Sequence, residues 1–248
     1  RLQNIPVTGA LAEYGAGQFE VNLSHQRDAL LACDQAIRFK RAVRAIAREY
    51  GWDATFMAKP YRDMAGSGLH VHASVETAAG ENILACPDAD AEGRLENPTL
   101  RHAIGGVLAT LGEGMAICAP GPNSYRRFRP EAYVPMMPSW SINNRGSAVR
   151  IPLSDARNRR IEHRLAGADA NPYLVVAWML AGIHHGISQG LEPPPALLGN
   201  AYRQQGEPLP IHWPTALDRF RASEFARSYF GKPFCRLYDT VKQCELEE

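Results

Sequence analysis

Two histidines, one residue apart, follow a glycine-rich turn in the segment GSGLHVHAS, residues 66–74. Side chains alternate between the two faces of a strand, so His70, His72 and Ser74 are predicted to share one face. Imidazoles on one face can bind a metal, act as a catalytic base, or meet water on an amphipathic surface strand. Because so short a pattern does not choose between these roles, other residues must decide.

Carboxylates supply a second part of the candidate chemistry. In NRRIEHRLA, residues 158–166, the same alternation places Glu162 between Arg160 and Arg164 on one face. This arrangement is either an ion-pair ladder, in which each exposed pair contributes about 0.2 to 1 kcal/mol, or a metal-binding glutamate flanked by anion-binding arginines. Glu13 and Glu20 lie on either side of a glycine turn, where they can face one another on adjacent strands. Carboxylates near imidazoles suit Mg²⁺ or Mn²⁺.

Arginines supply the third part. Arg127 follows the turn GPNSY, Arg145 follows two asparagines, and Arg150 lies in the strand-like segment GSAVRIP. Guanidinium groups bind carboxylates and phosphates through paired donors, and they stabilise the charge on a transferring phosphoryl group. If folding brings the acids, imidazoles and arginines together, the set indicates metal-assisted phosphoryl chemistry.

The elements that must position these residues are strands and helices in a mixed order, without an internal repeat. We therefore predict one α+β domain over residues 1–248. The predicted elements, in chain order, are a hairpin turning at residues 15–17, a helix over 26–50, a short strand over 54–60, the strand 66–74, a helix from Pro98, a turn at 121–125, three strands within 135–166, a helix over 171–187, and short helices from Thr215.

Bulk composition restricts the partners and the compartment. The net charge of the 248 residues is +1, so we expect neither a nucleic-acid partner nor a membrane partner. No apolar run is long enough to span a bilayer. Five scattered cysteines without a CxxC pair favour ordinary thiols in a reducing compartment, and we expect the cytoplasm.

Seven motifs in order along nearly the whole chain resemble the catalytic domain of the glutamine synthetase family. They are the pair Glu13 and Glu20, seven positions apart, then KP, GSGLHVHAS, NSYRRF, NNRGSAVRIP, RRIEHR and ADANPYL. The resemblance implies a curved, largely antiparallel sheet flanked by helices. In that family a small β-grasp domain and a strand with two further metal-binding acids precede this segment, so we expect a C-terminal part of a longer protein. The full-length protein is then expected to form a homo-oligomer, a dodecamer of stacked rings with active sites between subunits.

The resemblance also implies a role for individual residues, with ATP and Mg²⁺ or Mn²⁺ as cofactors. Glu13 and Glu20 would bind one metal, and His70 and Glu162 a second metal that bridges the nucleotide phosphates. The remaining implied positions are His72, Ser74, Arg145, Arg150 and Arg160 for ATP, Gly66, Arg127 and Arg164 for glutamate and its γ-phosphoryl group, and Tyr133 for the amine. Arg127, Arg145 and Arg150 are the residues expected to act in catalysis.

Two positions depart from the ammonia-using members of the family. Tyr133 occupies the place of a flap glutamate that attracts ammonium and takes its proton, and a phenol is uncharged at neutral pH. Glu131, two residues away, offers a displaced carboxylate. Ala65 occupies the place of an asparagine beside the substrate amino acid.

These departures resemble the γ-glutamylpolyamine synthetase branch. The expected reaction is ATP-dependent ligation of the glutamate γ-carboxylate to putrescine or another polyamine through γ-glutamyl phosphate. Two alternatives stay open at this point, an ammonia-using glutamine synthetase and a non-catalytic relative that only binds metal or nucleotide.

Overall fold

The computed structural model describes residues 4–87, 95–130, 132–203 and 206–247. The strands in these ranges are β1 Val7–Ala12, β2 Phe19–Leu23, β3 Val71–Ala73, β4 Trp140–Ile142, β5 Val149–Ile151 and β6 Ile161–His163. The helices are α1 Ala29–Glu49, α2 Pro98–Cys118, α3 Pro122–Tyr125, α4 Pro172–Gln189, α5 Trp213–Ala222, α6 Glu224–Phe230 and α7 Lys232–Glu247, with a 3₁₀ turn at Ala201–Arg203. The predicted α+β fold is confirmed.

Side-chain caps explain where the three long helices begin. The carboxylate of Asp28 accepts hydrogen bonds from the first backbone N–H groups of α1, and Asn97 and Asn171 do the same for α2 and α4. Proline follows each asparagine at the first helical position, where the missing N–H costs nothing. Gly190 ends α4 at a φ of 62°, a left-handed conformation that favours glycine.

Helices α2 and α4 cross so closely that their backbones touch. A methyl group placed at Gly106 of α2 would lie 2.1 Å from the carbonyl oxygen of Gly182 and 2.4 Å from the nitrogen of Gly186. Only a residue without a side chain fits this crossing. The two helices carry much of the hydrophobic core, including the buried residues Leu111, Met115, Trp178 and Met179.

A four-stranded sheet lies against this core in the order β3-β6-β5-β4. Strand β6 is antiparallel to both of its neighbours, whereas β4 and β5 run parallel. Directly opposite residues share a face, so Val71, His163 and Val149 form one row across β3, β6 and β5. The buried members of this row, His163 and Val149, belong to the face next to α2, where His163 lies 3.9 Å from the Cys118 sulfur. The other face of these strands is left for polar side chains.

Residues 54–60 were predicted to form a strand, and that prediction is wrong. Both backbone groups of Lys59 bond the side-chain amide of Asn123, at 2.8 and 3.0 Å. The carbonyl oxygen of Ala58 accepts the N–H of Ser67 at 2.8 Å. Because a side chain and a loop satisfy these peptide groups, the segment has no need of a strand ladder.

The remaining predicted elements are present in the predicted order, although the three strands within 135–166 have only three residues each. The structure has the four-residue helix α3 where the sequence predicted only a turn. All five cysteines are free thiols. Among the helices that the structure describes, none combines the length and the apolar character that a bilayer crossing requires.

We predict that Gly106→Ala destabilises the fold. Helix propensity alone favours alanine by about 1 kcal/mol, but the added methyl overlaps two backbone atoms of α4, and overpacking costs about 3 kcal/mol. Urea denaturation measures the difference. Gly121→Ala is the matched control, because a methyl group there meets no atom within 4 Å. A Gly106→Ala midpoint at or above that of the unmodified protein would show that the crossing tolerates a side chain.

Candidate active site

A row of three polar residues crosses the sheet on the face opposite the core. Glu162 on β6 lies directly opposite His72 on β3 and directly opposite Arg150 on β5. His70 and Arg164, two residues from His72 and Glu162, lie on the same face at one end of this row, because β3 and β6 are antiparallel. The predicted alternation of residues 70–74 and 160–164 is therefore preserved, and register brings the two segments together.

The carboxylate of Glu162 is the centre of this row and is almost fully buried, with 1% of its surface exposed. Its Oε1 accepts a hydrogen bond of 2.6 Å from Nη1 of Arg164, and its Oε2 forms an ion pair with Nε of Arg150. The ring nitrogens Nδ1 of His70 and Nε2 of His72 lie 3.6 and 3.8 Å from Oε1. This is a buried network, not the exposed ladder of weak pairs that the sequence left open.

Positive charge outnumbers negative charge around His70. Enclosure by the surrounding protein holds the pKa of His70 well below its usual range, and the charges of Arg164 and Arg127 lower it further. Burial also lowers the pKa of Arg164, although Glu162 opposes the shift. Three guanidinium groups, those of Arg127, Arg150 and Arg164, act on His70, whereas Glu162 supplies one carboxylate. Such a site is suited to an anion, and its imidazole is neutral, as a metal ligand must be.

Arg127 reaches this region from the segment that follows α3. Its side chain is buried, and Nη1 donates to the carbonyl oxygen of Leu165 at 3.0 Å. Burial lowers the pKa of Arg127 to about 10, and the carboxylate of Asp169 opposes the shift. Asp169 is oriented in turn by the Ser124 hydroxyl, which donates to its Oδ2 at 2.6 Å. The guanidinium is thus held in one position before any ligand binds.

Gly66 packs directly against Arg127. A methyl group at Gly66 would lie 2.8 Å from Cγ of Arg127 and 2.9 Å from the carbonyl oxygen of Ala58. The amide of Gln18 donates to the Gly66 carbonyl oxygen at 2.9 Å and to the Ser67 hydroxyl at 3.2 Å. The absence of a side chain at Gly66 therefore lets the hairpin, the loop and the buried arginine meet.

The residues predicted for ATP spread outward from the row. Nε of Arg160 donates to Nδ1 of His72 at 3.3 Å. Ser74 and His25, with hydroxyl and ring nitrogen 3.5 Å apart, line a cleft of about 200 Å³. Arg145 is exposed, and its carbonyl oxygen accepts a hydrogen bond from Nε of Arg164 at 3.1 Å.

Glu13 and Glu20 share the inner face of the β1–β2 hairpin, but they do not lie directly opposite. The backbone N–H of Glu13 donates to the carbonyl oxygen of Gln18, and Glu20 is paired with Leu11. The two glutamates are therefore diagonal neighbours on the side where Gln18 reaches Gly66.

The donors fit a divalent cation in their chemistry, with carboxylates on the hairpin and an imidazole next to a carboxylate on the sheet. Within the residues that the structure describes, however, no group of three or more histidine, cysteine or acidic side chains is arranged to hold a metal ion. The described residues thus provide the candidate metal ligands in two pairs, Glu13 with Glu20 and His70 with Glu162.

Tyr133 lies on the surface of the segment that follows Arg127, and its ring stacks on that of Tyr14 in the hairpin turn. The displaced carboxylate, Glu131, lies outside the described residues. Sequence reasoning did not assign Gln18, Ser124 or Asp169 to the site. Ser124 and Asp169 are members of the motifs NSYRRF and ADANPYL, but 45 residues separate them, so only folding reveals their contact.

We predict that Glu162→Gln destabilises the protein by about 3 kcal/mol or more, because it leaves two buried guanidinium groups without a counter-charge. Glu192→Gln is the matched control. Glu192 also pairs with two basic side chains, Arg101 and His102, but it is more than half exposed, so its loss is expected to cost less than about 1 kcal/mol. Urea denaturation of both variants makes the comparison. Equal, small losses would show that the Glu162 network contributes no more than a surface pair.

Comparison with known proteins gives concordant matches. The family model described as "Glutamine synthetase, catalytic domain" matches residues 1–248. The chain is 47% identical over 246 residues to gamma-glutamylputrescine synthetase PuuA of Escherichia coli (strain K12), covering 99% of this chain and 51% of that protein. It is 37% identical over 245 residues to the glutamate--isopropylamine ligase of a Pseudomonas species, covering 96% of this chain and 51% of that protein.

A solved structure described as "GmaS/ADP complex-Conformation 1" matches the fold with a TM-score of 0.87 at 31% identity, covering 98% of this chain and 57% of that one. The chain spans about half the length of the curated relatives it matches. The resemblance inferred from the seven motifs is confirmed, and the chain belongs to the glutamine synthetase family, whose catalytic-domain model it matches over its whole length.

Proposed function

We propose that this chain forms the catalytic domain of an ATP-dependent ligase that joins the γ-carboxylate of glutamate to an amine, with putrescine or another polyamine as the acceptor. The observation that carries the proposal is the buried Glu162 carboxylate, with two imidazoles beside it and more guanidinium groups around it than it can neutralise. The excess positive charge of such a site stabilises two anions that are held close together. Phosphoryl transfer from ATP to a carboxylate requires such a close approach of two anions.

In the proposed first step, a γ-carboxylate oxygen of glutamate attacks the terminal phosphorus of ATP, and ADP leaves with the bridging oxygen. Both reactants are anionic, so their approach is opposed by repulsion that fixed positive charge offsets. Arg127 and Arg164, with Gly66 beside them, would bind glutamate and the transferred phosphoryl group. Arg145 and Arg150 would act on the ATP phosphates.

The nucleotide side of the proposed site lies along β3 and the cleft at its end. His72 and Arg160, which bond one another, would contact the nucleotide near the phosphates. Ser74 lines the adjoining cleft with His25, and this cleft is the proposed position of the rest of the nucleotide. The similar GmaS structure is a complex with ADP, which supports a nucleotide as the ligand here.

Divalent metal is proposed as Mg²⁺ or Mn²⁺. Glu13 and Glu20 would provide ligands to one ion, and His70 and Glu162 would provide ligands to a second. Bound metal supplies further positive charge that neutralises the phosphate oxygens. The lowered pKa of His70 leaves a ring nitrogen without a proton, as coordination to a metal requires. The ion pairs with Arg150 and Arg164 orient the carboxylate of Glu162.

In the proposed second step, the amine nitrogen attacks the acyl carbon of γ-glutamyl phosphate. The C–N bond forms, the C–O bond to phosphate breaks, and the proton that the amine loses goes to the departing phosphate. The choice of a polyamine rests on Tyr133, an exposed aromatic ring at the position where ammonia-using relatives are expected to have a carboxylate. The relatives named for putrescine and for isopropylamine act on alkylamines by their names, which supports an alkylamine acceptor here, and the relative named for putrescine supports a diamine.

We also propose that residues 1–248 act as one domain of a larger homo-oligomeric ring assembly, in which, as the family resemblance implies, the active sites would lie between subunits. Activity is therefore to be measured on the full-length protein.

The proposal predicts a specific amine profile. With ATP, glutamate and Mg²⁺, putrescine should release ADP with a kcat/KM at least about tenfold above that of ammonium, because no carboxylate at position 133 attracts the smaller cation. Coupled ADP release and mass spectrometry of the amide product measure this profile. Faster turnover with ammonium would favour an ammonia-using glutamine synthetase. Metal-dependent ATP binding without any ligation would favour a non-catalytic relative.

A single substitution should shift this preference. Tyr133→Glu places a carboxylate where an ammonium ion must be attracted, so the ratio of putrescine to ammonium kcat/KM should fall about tenfold, the value of a charge-assisted hydrogen bond of about 1.4 kcal/mol. Tyr133→Gln is the matched control, because it has the same size as the glutamate and no charge. Equal ratios in the two variants would show that charge at position 133 does not select the amine.

A further inference from the structure

Two tyrosines that are far apart in the sequence form an exposed stacked pair beside the proposed site. The ring centroids of Tyr14 and Tyr133 lie 5.9 Å apart, and the ring planes differ by 18°. Tyr14 is 79% exposed and Tyr133 is 54% exposed. More than half of the surface of each tyrosine is exposed, so aromatic surface remains available to a ligand.

The hairpin turn that carries Tyr14 is tied to the glycine loop of the site. The side chain of Gln18 accepts a hydrogen bond from the N–H of Gly15 at 3.0 Å and donates to the carbonyl oxygen of Gly66 at 2.9 Å. Tyr14 also directly follows Glu13, a proposed metal ligand. The ring therefore has a defined position relative to the loop that contacts Arg127.

The backbone at Tyr133 has an unusual conformation for a residue with a side chain. Its φ is 52°, in the left-handed region that costs such residues about 1 to 2 kcal/mol. The residue with this backbone conformation is the same one whose ring stacks on Tyr14. Strained residues of this kind are frequent at ligand-binding positions, so the conformation agrees with a binding role for this segment.

We propose that Tyr14 is a specificity-determining residue, and that with Tyr133 it forms an aromatic surface that selects an alkylammonium acceptor. This inference rests on the proposed ligase function and names the residue pair that recognises its amine. The faces of the two phenol rings attract a cation, and they also pack against the methylene groups of an alkyl chain. An acceptor with both features, such as a diamine, uses the surface fully.

Small acceptors gain little from such a surface. An ammonium ion has no methylene groups, and without a carboxylate nearby its hydration outweighs the attraction of an exposed ring. Hydroxylamine is also small and is uncharged at neutral pH, so it should react independently of the pair. The contrast between putrescine and hydroxylamine therefore isolates the contribution of the two rings.

The test is steady-state kinetics of the full-length protein and its Tyr14→Ala, Tyr14→Phe and Tyr50→Ala variants. Tyr14→Ala should lower kcat/KM for putrescine about 3- to 30-fold through a raised KM, the range expected for a cation–π contact. The KM values for glutamate and ATP, and turnover with hydroxylamine, should stay within about twofold of the unmodified protein. Tyr14→Phe keeps the ring and should restore putrescine use.

Tyr50→Ala is the matched control, because Tyr50 is 75% exposed at the end of α1 and belongs to no proposed site. Unchanged putrescine kinetics in Tyr14→Ala, or an equal loss with putrescine and hydroxylamine, would overturn the role of Tyr14 while leaving the ligase function intact. Failure of the unmodified protein to ligate any amine would instead contradict the proposed function, and the selection of an amine with it.

Discussion

A carboxylate buried between two guanidinium groups is the constraint on which the site depends. Glu162 lies on the central one of three paired strands, and an isolated charge in that position would be strongly unfavourable. The strand register supplies a counter-charge, because it places Arg150 directly opposite Glu162. Alternation along β6 places Arg164 on the same face as Glu162. The same register brings His72 to the carboxylate from the other side. One strand alignment therefore stabilises the sheet and assembles the acid, base and cation groups of the site.

The second layer of the site is held by loops that the sheet does not position. Arg127 is buried against the carbonyl oxygen of Leu165, next to Asp169, and it leaves no space for a side chain at Gly66. Gln18 then ties the hairpin to the Gly66 loop. Positive charge is thus fixed before a ligand arrives, which is the condition under which electrostatic stabilisation of a transferring phosphoryl group is largest.

The two sides of the proposed site differ in their physical character. The side around Glu162 is buried, charged and held by hydrogen bonds, whereas Tyr14 and Tyr133 are exposed, neutral and joined by a ring contact. Buried networks tolerate few changes, because every member needs its partner. An exposed aromatic surface can change with little effect on stability.

The amino-acid sequence by itself determined the family, the order of the elements and the residues that share a face, because alternation along a strand and ordered motifs are local properties. It also placed an uncharged residue at position 133. Only the tertiary structure decided which segments meet. Residues 54–60 have strand-like composition, yet Asn123 satisfies the backbone of Lys59, and no strand forms. The diagonal placement of Glu13 and Glu20, the contact of Ser124 with Asp169 and the stack of Tyr14 on Tyr133 depend on register and packing between distant segments, which no local pattern encodes.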